Sequence, residues 1–124
     1  HEDRILLSKS RALIASPGIT AGYRIASGDT REQLIDVLER FDLWRSIQPF
    51  TRCLHCNSAV QAVGKAEVED RLPPKVRGLF DAFTRCPACD RVYWLGTHCE
   101  RMREYVRQIF VDREKVALLP PDLG

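Results

Sequence analysis

The chain has 124 residues, 44% of them hydrophobic, and carries 19 Lys plus Arg against 17 Asp plus Glu for a net charge of +2. That is enough chain for one domain or two small lobes, and too little charge to mark a nucleic-acid binder by electrostatics alone. No run of about 18 apolar residues occurs, and the opening His1-Glu2-Asp3-Arg4 lacks the basic-then-apolar order of a secretory signal, so a membrane-spanning helix is excluded and a cytoplasmic location is expected.

In chain order, Ile5-Leu6-Leu7 reads as a buried strand, and Ser8 as the start of a short helix that Arg11 to Ala15 continue until Pro17-Gly18 stops it. Tyr23 to Ala26 reads as a second strand running into a Ser27-Gly28 turn. Asp29 or Thr30 caps the next helix, because Glu32 and Gln33 stand three residues further on and complete a capping box. Leu34, Leu38 and Phe41, widened by Ile35 and Val37, recur at helical spacing to about Phe41. Strand, helix, strand, helix is the order of an α/β layer, yet two strands are too few for an independent sheet. Residues 1–46 are therefore expected to be the trailing part of a larger layer, or to be completed by a protein partner or a second copy in a homodimer.

A second lobe is expected over residues 47–111. Pro73-Pro74 fits a helix start, with Val76, Leu79, Phe80 and Phe83 on one face. Val92-Tyr93-Trp94 reads as a strand and Gly96 as the turn out of it; Thr97 and Glu100 form a capping box for a helix whose Met102, Tyr105, Val106, Ile109 and Phe110 share a face. Residues 112–124, with Pro120-Pro121, read as a loose tail. The fold class is α+β.

Five cysteines, an odd number containing two Cys-x-x-Cys pairs, fit metal thiolates in a reduced compartment better than a disulfide framework. Cys53-Leu54-His55-Cys56 and Cys86-Pro87-Ala88-Cys89 are separated by the 29 residues from Asn57 to Arg85, room for an insertion between two zinc knuckles. The residue after each second cysteine is Asn57 or Asp90, the non-glycine types that best enter the left-handed backbone a knuckle needs. Four protein ligands leave the ion no open position, so the zinc is expected to be structural. Iron in a rubredoxin-like electron carrier, or buried thiols without metal, are the competing readings. His55 and His98 are alternative ligands, and Cys99, on a helix, reads as core.

Phe50 to Asn57, Arg71-Leu72-Pro73-Pro74, Phe83 to Cys89 and Arg91 to His98, together with Asp29 to Leu34, resemble the C-terminal RNase domain of the Mut-seven family over the span from Arg4 to about Met102. The resemblance implies the later part of a PIN-like α/β nuclease fold followed by a four-cysteine zinc ribbon with flanking helices, in proteins of RNA processing or decay. Where the family places Thr-Arg-Asp after the first strand seen here, this chain has Ser8-Lys9-Ser10, without the metal-binding aspartate. Asp29 and Glu32 are the remaining catalytic candidates, with Mg²⁺ or Mn²⁺ as cofactor if a nuclease pocket is completed; weak or absent nuclease activity is expected. For RNA, His98, Arg101 and the helix start near Thr97 would hold a phosphate while Tyr93 or Trp94 stacks on a base. Arg85 and Arg91 are secondary candidates. The competing reading packs Trp94 over the knuckles and leaves His98 as a cap.

Overall fold

The computed structural model describes residues 3–123. Expectations that involve His1, Glu2 or Gly124 lie outside the described residues. The architecture is α+β and divides into two compact units between Ser46 and Ile47.

The first unit contains β1 (Leu6–Ser8), α1 (Arg11–Ile14), β2 (Gly22–Arg24) and α2 (Thr30–Arg40). β1 and β2 pair in parallel, from Leu6 opposite Gly22 to Ser8 opposite Arg24. Parallel neighbours need a crossover of about a dozen residues, which the segment 9–21 supplies with α1 inside it. Gly22 permits the close approach of that helix, because a Cβ there would stand 3.1 Å from two carbons of the Ile14 side chain. The strand is not the buried one expected: Ile5 and Leu7 are 47% and 42% exposed, since β1 has β2 alone beside it in a two-stranded sheet among the described residues. Nor does Ser8 start the helix. Its carbonyl is committed to the ladder, accepting from Ile25 N at 2.9 Å, and Ser10 caps instead, its hydroxyl accepting from Leu13 N at 3.2 Å.

Asp29 caps α2, its Oδ1 accepting from Glu32 N at 2.9 Å. The reciprocal half of the capping box is replaced, because the Asp29 amide donates to Ser27 Oγ at 3.1 Å. Ile35 and Leu38 are buried from this helix. The Tyr23 hydroxyl donates to Asp36 Oδ1 at 2.6 Å and so ties β2 to α2, while the Tyr23 ring meets Phe41 edge-on at 5.5 Å. That hydrogen bond from Tyr23 to a carboxylate raises the phenol's pKa above its ordinary value.

The second unit holds β3 (Gln61–Val63), α3 (Lys65–Val68), a 3-10 turn (Glu69–Arg71), α4 (Pro74–Leu79), β4 (Phe83–Arg85), β5 (Val92–Tyr93), α5 (Thr97–Asp112) and two further 3-10 turns, Val116–Leu118 and Pro121–Leu123. β3, β4 and β5 form an antiparallel sheet in that order, with Val63 opposite Phe83 and Thr84 opposite Tyr93. Val68, Leu72 and Phe83 make its core, with Val63, Val76, Phe80, Val92 and Trp94 packed around them.

Three expectations change here. Phe83 is on a strand rather than on the helix face, and Leu79 is 73% exposed, because α4 ends at Leu79 and Phe80 turns to extended backbone. Gly96, not Thr97, occupies the cap of α5; Thr97 is its first helical residue and Glu100 N bonds Gly96 O at 3.0 Å. Ile109 and Phe110 of its apolar face are buried, but Met102 and Tyr105 are exposed. The tail is also more ordered than expected. Glu114, at φ 56°, reverses the chain after α5, with Lys115 N bonded to Phe110 O at 2.7 Å and Glu114 N to Val111 O at 3.1 Å, the two bonds of a Schellman motif. The following turns fold back on α5 and Leu123 is buried.

Candidate metal centre

Each Cys-x-x-Cys pair is built by the same backbone device. In the first, Cys53 N donates to Ser58 O and Asn57 N to Cys53 O, both at 2.9 Å; in the second, Cys86 N donates to Arg91 O at 2.8 Å and Asp90 N to Cys86 O at 2.9 Å. The chain reverses at Asn57 (φ 61°) and Asp90 (φ 66°), the two positions where the sequence reading required left-handed backbone. Most residues pay about 1–2 kcal/mol there, and Asn and Asp less. The Arg52–Ala59 bridge closes the first hairpin, and β4 and β5 close the second.

These hairpins bring the four sulfurs of Cys53, Cys56, Cys86 and Cys89 within 4.8 Å of one another. Cys53 to Cys89 is 3.5 Å and Cys56 to Cys86 is 3.4 Å, far beyond the roughly 2.05 Å of a disulfide. A tetrahedron with zinc–sulfur bonds of about 2.3 Å has edges of about 3.8 Å, so opening the two short separations slightly and contracting the longer ones makes a tetrathiolate shell. The donor set and its spacing fit a metal ion of this kind. His55, His98 and Cys99 stand outside the group; His55 and His98 are exposed, and Cys99 faces Trp94 O at 3.8 Å.

The surroundings differentiate the sulfurs. The Tyr93 hydroxyl lies 3.1 Å from Cys53 Sγ and accepts from Leu54 N at 3.1 Å. Donation from that phenol favours the Cys53 thiolate and lowers its pKa to about 5, and it raises that of Tyr93. Cys56 is lowered, first by the Ser58 side chain. At Cys89 the Arg91 amide lowers the pKa, but burial and the neighbouring sulfurs outweigh it and push the thiol up to about 11. Four negative sulfurs repel one another at these distances, which is the charge a dication neutralises. The Tyr93 and Ser58 contacts were missed from sequence; a phenol 40 residues from the sulfur it meets leaves no local signal.

Of the candidates for RNA contact, Tyr93 thus has its hydroxyl engaged with the first knuckle, and Trp94 packs on the core, 6.5 Å from the Phe83 ring at an interplanar angle of 61°. His98 and Arg101 are exposed on the first turn and a half of α5. Asp29 and Glu32 lie in the first unit at the start of α2, Asp29 as its cap and Glu32 exposed.

Fold and site together define a small α+β protein with a four-thiol centre that could hold a metal ion. No curated protein and no solved structure matches it. Residues 1–106 match the family model for the Mut7-C RNAse domain, and the chain belongs to that family.

Proposed function

We propose that the chain is an RNA-associated module of its family, in which residues 47–111 form a zinc ribbon on Cys53, Cys56, Cys86 and Cys89 and residues 1–46 form a partial PIN-like lobe. The convergence of four sulfurs from two matching hairpins carries the zinc reading. Zinc there supplies a crosslink with a closed shell and no place for a reacting water. The parallel β1–β2 pair with a helical crossover supports the PIN-like lobe. RNA association follows from the family, with Tyr93, Trp94, His98 and Arg101 as the proposed contacts.

Nuclease activity of this chain by itself is proposed to be weak or absent. At the position of the family's Thr-Arg-Asp, the Ser10 hydroxyl caps α1 and the Ser8 hydroxyl accepts from Ser10 N at 3.1 Å. Hydroxyls do not provide the charge that holds Mg²⁺ or Mn²⁺ against a scissile phosphate. Asp29 serves as a helix cap. Among the described residues, the cysteine cluster is the group of three or more ligating side chains close enough to hold an ion.

Elemental analysis of the reduced, purified chain is expected to give one zinc per chain and no colour; absence of metal sinks the ribbon, and red iron protein supports the electron-carrier reading. Manganese-dependent cleavage of single-stranded RNA by this chain, at rates typical of a nuclease, would refute the inactive assignment. A second reading, a protein-interaction module, is favoured by the exposed Ile5, Leu7, Leu13 and Ile19 of the first unit. Sedimentation showing a stable dimer or a co-purifying protein partner would support it.

A further inference from the structure

The second unit has a surface cleft of about 260 Å³ lined by Arg71, Leu72, Arg91, Val92, Tyr93 and Trp94. Its position follows from the knuckle chemistry. Arg91 directly follows the left-handed Asp90, and its backbone is fixed because its carbonyl takes the Cys86 amide at 2.8 Å and its own amide points at the Cys89 sulfur. Tyr93 is anchored at the other end by Cys53 and Leu54. The cleft floor is thus strung between the two knuckles.

The charges in the cleft are unequal. Arg71 donates to Asp90 twice, Nη1 to Oδ2 at 3.2 Å and Nη2 to the carbonyl at 2.6 Å, and Arg85 Nε stands 3.8 Å from Asp90 Oδ1. One carboxylate therefore answers two guanidiniums, and Arg71 keeps three of its roughly five N–H donors. Among the described residues, the exposed Arg91 guanidinium makes no ion pair or hydrogen bond. A fixed cation and a free one border an indole, a phenol ring and two aliphatic side chains.

That composition selects the ligand. The volume is below the roughly 300–1,000 Å³ of pockets that enclose a drug-sized molecule, so a group protruding from a longer chain fits better than a free metabolite. Guanidiniums take phosphate oxygens, and an aromatic floor takes the face of a base. An acidic peptide would use the arginines but gain little from the rings. Duplex RNA keeps its bases stacked inside and has none to offer.

We propose that this cleft binds single-stranded RNA, with Arg91 and Arg71 on the backbone phosphate and Trp94 against a base. The assignment rests on the RNA-associated reading above, and it extends the contacts named there to the edge formed by Arg71 and β5. It also makes RNA affinity depend on the metal, since both anchors of the cleft floor belong to the knuckles, although the metal does not touch the RNA.

The test uses the full chain and a fluorescein-labelled 12-nucleotide single-stranded RNA of mixed sequence, followed by anisotropy at several salt concentrations. Arg91→Ala is expected to weaken binding on the order of tenfold and to reduce the salt slope by about 0.7, the value for one lost contact to single-stranded phosphate. Its zinc content should be unchanged. Arg107→Ala, further along α5 and paired with Glu104, should bind within about twofold of the parent. RNA should quench the tryptophan emission that comes from half-buried Trp94, the second tryptophan, Trp44, being buried. Parent binding that Arg91→Ala does not change overturns the cleft and leaves the RNA reading standing. Absence of parent binding at low salt overturns both. Metal loss in Arg91→Ala assigns that residue to the centre instead, and equal competition by polyglutamate or duplex RNA refutes the single-strand assignment.

Discussion

Tyr93→Phe is the most informative single substitution at the centre, since it removes one oxygen and keeps the ring. The lost hydroxyl stands 3.1 Å from Cys53 Sγ and 3.1 Å from Leu54 N. A hydrogen bond to a charged acceptor contributes about 1.5–3 kcal/mol, and loss of an outer-shell partner commonly lowers metal affinity about 10- to 100-fold, so the two scales agree. The Leu54 side of the loss is small, because Leu54 is 89% exposed and water replaces the phenol at its amide. The expected result is therefore near the lower end, about tenfold or about 1.4 kcal/mol. Competition against a chromophoric zinc chelator at fixed pH measures it, with Tyr105→Phe on the exposed face of α5 as control. An affinity for zinc equal to that of the parent would refute the idea that the phenol supports the Cys53 thiolate.

At Asn57, with φ 61°, Asn57→Gly should leave the thermal midpoint of the metal-loaded chain nearly unchanged, while Asn57→Val should destabilise it by about 1–2 kcal/mol. Asp29→Ala should cost about 1 kcal/mol in chemical denaturation of the first unit and leave zinc content unaltered, because it removes the cap on Glu32 N. The raised pKa of Tyr23 predicts a pH effect. The folded state holds this proton more tightly than the unfolded state, so the contribution is full below the ordinary phenol pKa near 10 and is lost as pH rises through the raised value. Denaturation of parent and Tyr23→Phe should show a stability gap at pH 8 that closes above pH 10, and a gap constant with pH would contradict the Asp36 hydrogen bond as its source.

What could be read from the chain was what is short-range along it. The two Cys-x-x-Cys pairs and the Asn57 and Asp90 reversals lie within five-residue windows, and their geometry is local. The cap at Asp29 and the burial of Ile35 and Leu38 are set by helical spacing in the same way. Phe83 misled because Val76, Phe80 and Phe83 also fit a helical period; its pairing opposite Val63 decides the matter and joins residues 20 apart. The Tyr93 contact with Cys53 depends on sheet register as well as on both knuckles. Glu114 gave no warning of a reversal, being a residue type that seldom takes positive φ, so the turn that docks the tail was hidden. The exposure of β1 could not be read either, since Ile5-Leu6-Leu7 has the composition of a covered strand whatever covers it.

The segment between the knuckles enters and leaves beside one cluster of sulfurs, Cys56 and Cys86 being 3.4 Å apart. Its two ends are therefore held together independently of what lies between them. For such a closed loop, doubling the length costs only about 0.6 kcal/mol of chain entropy. Residues can be added at exposed turns of this segment while the knuckles keep their geometry, provided β3 and β4 still pair and Val68 and Leu72 stay in the core. This makes an exposed turn of the insertion a tolerant site for grafting a reporter peptide or an affinity tag.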